Sequence, residues 1–157
     1  MNLKQGDAVH KSNDKSRLRL WLKLLKSSNL IEDQLRRFFR DKHSTTLPRF
    51  DVMAALSRYP SGLKMSEISG LLRVSNGNVT GIVDRLNSEG LVQRVSVPGD
   101  RRAHLVILTS EGEKMFEHLV GEHTTWINEK LGGISLEEVK GFIKRLDYLN
   151  KTLEDEK

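Results

Sequence analysis

Apolar positions along this chain fall mostly at helical spacing. Leu18, Trp21, Leu22 and Leu25 stand at i, i+3, i+4 and i+7, and Ile31, Leu35, Phe38 and Phe39 carry the stripe on, which predicts one helix over residues 14–42. A polar step, Ser27-Ser28-Asn29, interrupts that stripe. The first thirteen residues lack the pattern and are expected as a flexible tail. Leu47-Pro48 opens a second helix, with proline in its first turn, and Tyr59-Pro60-Ser61-Gly62 ends it. A short helix follows with Ser66 as its expected N-cap, then a break at Arg73-Val74-Ser75. The next helix is expected to be capped by Ser75, to bury Val79, Ile82, Val83 and Leu86, and to stop at Gly90.

The period then changes. Leu91, Val92, Val95 and Val97, and then Leu105 to Leu108, are strand formers flanking the turn residues Pro98-Gly99-Asp100, which predicts a two-stranded hairpin whose basic tip is Arg101-Arg102. Thr109 is the expected N-cap of a helix running to about Leu131. After Gly132-Gly133, Ser135 and Glu138 form a capping box ahead of a last helix with Leu136, Val139, Phe142, Ile143, Leu146, Leu149 and Leu153 on its apolar stripe. The first and last stripes are longer than one small core requires, so both helices are candidates for pairing with a second copy. The fold class expected is mainly α with a small β-hairpin wing.

Composition narrows the function. The 157 residues are 37% hydrophobic, enough for a core, and no apolar run is long enough to span a membrane. Residues 1–14 lack the apolar stretch of a signal peptide, and with no cysteine there is no disulfide framework, zinc ribbon or thiol chemistry, so a cytoplasmic location is expected. The formal net charge is +5 and unevenly spread: residues 10–50 hold 11 Lys/Arg against 4 Asp/Glu, whereas residues 109–157 hold 7 against 11. A polyanion is the natural partner of the basic part, although an uneven soluble surface accounts for the same numbers.

Two short helices joined by a tight turn, the second rich in small polar residues, form a helix-turn-helix pattern, which places its second helix in the DNA major groove. Ser75, Asn76, Asn78 and Thr80 supply the short donors and acceptors that read base edges, and Gly77 and Gly81 permit close approach. Arg73 and Arg85, near the helix ends, suit phosphates. A basic hairpin directly after such a helix is a winged-helix arrangement, in which Arg102 suits a narrow minor groove, with Asp100 holding it and Arg101 beside it. The plain alternative is ordinary helix packing with a solvated turn.

Val79-Thr80-Gly81-Ile82-Val83-Asp84-Arg85-Leu86, Glu89-Gly90-Leu91-Val92, Gly99-Asp100-Arg101-Arg102 and Leu108-Thr109-Ser110-Glu111-Gly112, in that order and spacing, resemble the MarR family of bacterial transcriptional regulators over about residues 15–155. The resemblance implies a homodimer, with residues 14–46 and 109–157 as a helical dimerisation region and 47–108 as a winged helix-turn-helix. It also implies a palindromic double-stranded DNA operator and, for a repressor, release by a small aromatic, anionic or aryl-CoA effector. Toward such a ligand this chain offers Ser28 and Asn29 at the polar step and the nearby cations Arg19 and Lys23.

No catalytic triad spacing, phosphate loop or HExxH motif marks an enzyme, and no cofactor is implied. His118, Glu122 and His123 share one helix and would suit a metal-responsive regulator of the same fold, but two or three ligands without cysteine make a weak zinc signal, and solvated helix residues explain them better. A basic interaction module at a membrane surface would use Arg17, Arg19, Lys23 and Lys26, and would leave the wing without a purpose.

Overall fold

The computed structural model describes the backbone of residues 3–97 and 100–155 and the side chains of residues 15–96 and 104–155. In chain order the elements are α1 (Leu3–His43), α2 (Leu47–Arg58), α3 (Met65–Leu72), α4 (Asn76–Ser88), β1 (Val92–Val97), β2 (Asp100–Leu108), α5 (Ser110–Leu131) and α6 (Leu136–Asp155). The chain divides into two compact units, residues 1–113 and 114–157. α1 begins at Leu3 rather than near Asp14, so most of the segment expected as a tail is helical backbone. Once a helix exists, each further residue adds a hydrogen bond without a new nucleation cost, and no proline stands in residues 3–13 to stop it.

The core of the first unit lies between the end of α1 and the winged helix. Phe39 is fully buried and its ring stacks on Phe50 of α2 at 4.9 Å and 29°. Met53, Leu56, Ile68, Val79, Val83 and Leu86 complete the packing of α2, α3 and α4, and no polar side chain is buried among the described residues. Thr46 caps α2 by accepting from the Arg49 N–H at 3.4 Å. α3 starts one residue before the expected cap. Lysine has no acceptor to offer at the N-cap, Lys64, and Glu67 instead reaches back to accept the Lys64 backbone N–H at 2.6 Å, which leaves the Ser66 hydroxyl exposed.

α4 ends in a Schellman motif. Gly90 takes φ +74°, its N–H donates to the Asn87 carbonyl at 3.0 Å, and the Leu91 N–H donates to the Leu86 carbonyl at 2.9 Å. The chain then enters the wing, where β1 and β2 pair antiparallel from Val92↔Leu108 to Ser96↔His104 and Val97↔Asp100. β2 begins at Asp100, which the sequence pattern assigns to the turn, so Arg101 and Arg102, the expected basic tip, are strand backbone. Leu63 adds a third rung that the sequence pattern does not show: its N–H and carbonyl exchange bonds with Val106 at 3.1 and 2.8 Å.

The start of α5 closes back on the end of α4. The Thr109 N–H donates to the Leu91 carbonyl at 3.1 Å, the Thr109 hydroxyl donates to the Gly90 carbonyl at 2.6 Å, and the same oxygen accepts the Gly112 N–H at 3.0 Å as the helix cap. A Cβ on Gly112 would lie 1.9 Å from the Leu91 carbonyl oxygen, so this position admits no side chain without moving the junction. Within the second unit α6 has no buried residue, and Leu136, Phe142, Ile143, Leu146, Leu149 and Leu153 are all exposed in the single chain. Its capping box forms as expected: Ser135 donates its N–H to Glu138 at 2.9 Å and accepts the Glu138 N–H at 3.3 Å.

Gly112→Ala is expected to destabilise the chain by on the order of 3 kcal/mol, the upper range for forcing atoms into a closed site. Thr109→Ala should lose about 1 kcal/mol, the value of a cap. Urea unfolding measures both, and a Gly112→Ala midpoint equal to wild type would show that the junction yields freely.

Candidate nucleic-acid interface

α4 presents two unlike faces. Val79, Val83 and Leu86 are fully buried and Ile82 is half-buried, whereas Ser75, Asn76, Asn78, Thr80 and Arg85 are exposed around Gly77 and Gly81. Two of the exposed groups also serve the helix itself. Ser75 caps it by accepting the Asn78 N–H at 3.4 Å. The Thr80 hydroxyl donates to the Asn76 carbonyl at 2.8 Å, so Thr80 offers outward an acceptor oxygen and a methyl rather than a free donor. The amides of Asn76 and Asn78 are the versatile groups on this face, able to donate and accept toward base edges.

The turn before α4 is held tightly. The Ser69 hydroxyl donates to the Val74 carbonyl at 2.6 Å and the Val74 N–H donates to the Ser69 carbonyl at 3.2 Å. Arg73 takes φ 53° and ψ 40°, a left-handed conformation that a side chain disfavours, and its side chain is exposed beside the polar face of α4.

Alternation in the wing puts Val92, Arg94 and Ser96 on one face with their partners Leu108, Val106 and His104. Val92 and Val106 are buried at the root of that face, and farther out Arg94 donates to Asp84 of α4 at 2.5 Å. A cavity of ≈ 580 Å³ lies beyond this pair, lined by Lys64, Ser66, Asn76, Thr80, Arg94 and His104 among others. Of these only Asn76 and Thr80 were expected from the sequence. Strand alternation could have placed Arg94 and His104 on one face, but nothing local brings Lys64 or Ser66 to it. The side chains of Asp100, Arg101 and Arg102 lie outside the described residues.

The other flank of α4 borders a cavity of ≈ 510 Å³ whose lining includes Arg36, Arg49, Asn78 and Arg85. Arg49 of α2, largely covered, pairs with Glu89 at the end of α4 and so ties the two helices together. A third, smaller cavity of ≈ 170 Å³ holds Asp51, whose carboxyl is raised above its ordinary range by burial, with Arg36 opposing and Glu32 adding to the shift. α1 runs unbroken through Ser27-Ser28-Asn29, and Arg19, Lys23, Ser28 and Asn29 are exposed along it and line none of these three cavities. In the second unit burial lowers the His123 pKa, and no cluster of three His, Cys, Asp or Glu able to hold a metal occurs among the described residues.

Comparison with known proteins bears on this interface. A model of the MarR family matches residues 45–104, from the start of α2 into the wing. The HTH-type transcriptional regulator PecS of Dickeya dadantii is 32% identical over 117 residues, which cover 73% of this chain and 70% of that protein. The crystal structure of a MarR family transcriptional regulator from Silicibacter pomeroyi superposes with a TM-score of 0.71 at 32% identity, covering 92% of this chain and 98% of that one. Streptococcus pneumoniae FabT, solved in complex with DNA, has the same fold at 24% identity and a TM-score of 0.73, covering 90% and 99% of the two chains.

Arg73→Gly separates the backbone role of this residue from its charge. Glycine accepts the left-handed backbone, and its greater freedom when unfolded offsets that gain, so stability should stay within about 1 kcal/mol of wild type. Affinity for a duplex of any sequence should fall, and the slope of log K against log salt should flatten by about one unit for the lost phosphate contact. Unchanged affinity and slope would remove Arg73 from the interface.

Proposed function

Because the chain belongs to the MarR family and is a DNA-binding transcriptional regulator of that kind, we propose that it acts as a homodimer on a palindromic duplex, as a repressor released by a small anionic effector. The observation that carries this reading is the exposed face of α4. Asn76, Asn78 and Thr80 stand beside two exposed glycines on a helix whose back is fixed by Val79, Val83 and Leu86. Such a surface fits a major groove, where bidentate amides distinguish base pairs. Its place is the cytoplasm, with its DNA, and no helix of the described residues is long and apolar enough to cross a membrane.

The homodimer rests on exposed apolar surface. Trp21 and Leu22 in the first half of α1 are 57% and 53% exposed, and Phe142 and Ile143 of α6 are 57% and 53% exposed, although the end of the α1 stripe is buried at Leu35 and Phe39. A two-fold pair would bury this surface and set two copies of α4 about one turn of duplex apart. In that pairing Arg102 reaches into the minor groove, positioned by Asp100 and flanked by Arg101.

A paired test addresses both parts. Leu149→Glu should yield a monomer by sedimentation and lose tight operator binding, since one half-site offers too few contacts. Arg102→Ala should stay dimeric and weaken operator binding by roughly 1–3 kcal/mol, the scale of a groove contact. A Leu149→Glu monomer that still binds a full palindrome tightly would break the link between dimer and function.

The effector reading gains its best support from the cavity of ≈ 510 Å³ beside α4, whose lining includes Arg85 together with Arg36 and Arg49, the last two also paired with Glu32 and Glu89. This is a better-built place for an anion than the exposed polar step at Ser28 and Asn29 with Arg19 and Lys23. An inducer must favour the arrangement that cannot bind DNA, because equal affinity for both shifts nothing. A thermal-shift screen of aromatic carboxylates and their CoA thioesters is expected to give a hit that also releases operator DNA. Stabilisation with no loss of operator affinity would reject that compound as an inducer.

A further inference from the structure

We propose that the cleft between the N-terminal end of α3, the recognition face of α4 and the wing seats a DNA phosphodiester, and that His104 makes this seat proton-linked. The inference rests on the DNA-binding reading and names a contact and a regulation that it does not contain. The geometry comes from three separate stretches of chain. Lys64 and Ser66 enter from the turn into α3, Asn76 and Thr80 from α4, and Arg94 and His104 from facing strands of the wing, all lining one cavity of ≈ 580 Å³.

The register explains why the imidazole is there. His104 pairs with Ser96 on the same wing face as Arg94 and Val106, and the buried Val92 and Val106 press the root of that face onto the helices. The outer part of the face is thereby held open against α3 and α4, with Arg94 and His104 exposed. Among the described residues that line the cavity with the imidazole, the charged groups are cations. Lys64 contributes a cation from the α3 side and Arg94 one from β1, while α4 contributes the uncharged Asn76 and Thr80. Among the described residues two carboxylates stand close by, Asp84, which pairs with Arg94 and offsets part of its charge, and Glu67, which accepts the Lys64 backbone N–H, so the protonated imidazole decides whether the seat is net positive.

An anion with several acceptor oxygens satisfies this set, since Ser66 and the Asn76 amide can donate hydrogen bonds and the cations supply charge. DNA fits it better than a free anion, because the seat adjoins the face of α4 that meets the groove and a phosphate chain borders every groove. Imidazole gains its charge between about pH 5 and 8. Protonated, it adds a third cation to the seat. Binding duplex then takes up a proton, so affinity rises as pH falls through that window.

A phosphate contact carries no sequence information, so a labelled duplex of random sequence is a sufficient probe. Anisotropy titrations at about pH 6 and about pH 8 compare wild type, His104→Gln and His104→Lys. Wild type should bind more tightly at the lower pH, by about threefold per protomer, the scale of an exposed ion pair. His104→Gln should lose that increment, and His104→Lys should hold the tighter affinity at both values. Both substitutions sit on an exposed strand position, and matching thermal midpoints confirm that the fold is intact. A His104→Gln profile that keeps the wild-type pH dependence overturns the seat while leaving DNA binding standing. Absence of duplex binding by wild type at either pH overturns the DNA reading and the seat together.

Discussion

The junction where α4, β1 and α5 meet is the constraint on which the rest of the first unit depends. Three backbone segments converge within a few ångströms: Gly90 and Leu91 leaving α4, and Thr109 to Gly112 entering α5. The polar groups that cross it are paired: the Leu86 carbonyl takes the Leu91 N–H, and the Gly90 and Leu91 carbonyls take the Thr109 hydroxyl and N–H. The approach is so close that Gly112 has no room for a Cβ. Because β1 begins one residue after Leu91 and β2 ends one residue before Thr109, this clasp fixes both feet of the wing to the end of the recognition helix.

With its feet fixed, the wing's direction follows from two further ties. The Leu63–Val106 rung binds β2 to the segment ahead of α3, and the Arg94–Asp84 pair binds β1 to α4. The second is a half-exposed ion pair and so worth little as stability, but it orients a guanidinium beside α4. The Arg49–Glu89 pair does the same from α2, with Arg49 mostly covered. Among the described residues the helix-turn-helix and the root of the wing belong to one compact unit, in which apolar burial supplies the stability and the charged pairs tie neighbouring elements.

Function needs polar groups that the fold has not already taken. On α4 the fold takes some of them: Ser75 caps the helix and the Thr80 proton returns to the Asn76 carbonyl. Asn76 and Asn78 are exposed, and Lys64, Arg94 and His104 line one open cleft together with Met65. The long helices show the complementary case. Their exposed Trp21, Leu22, Phe142 and Leu146 are apolar groups that the single chain leaves uncovered, which is what a symmetric partner would remove from water.

Local patterning was enough to read the element order, the buried stripe of α4, the caps at Thr109 and Ser135, and the stop at Gly90, because each depends on residues within a turn or two of one another. The motifs from Val79 to Gly112 were likewise legible, since their spacing along the chain is itself the signal. Boundaries set by propagation or by a neighbour were not. α1 extends back to Leu3, the cap of α3 is Lys64 with Glu67 rather than Ser66, and β2 takes in Arg101 and Arg102 because the ladder closes again at Val97↔Asp100 beyond an irregularity that contains them. The cleft was the least legible of all. Lys64 and His104 are far apart in sequence and share no period, and only the packing of Val92 and Val106 onto the helices, with the clasp at Gly112, brings them to one wall of the same space. Convergence of that kind is a property of non-local contacts, which no stretch of sequence encodes by itself.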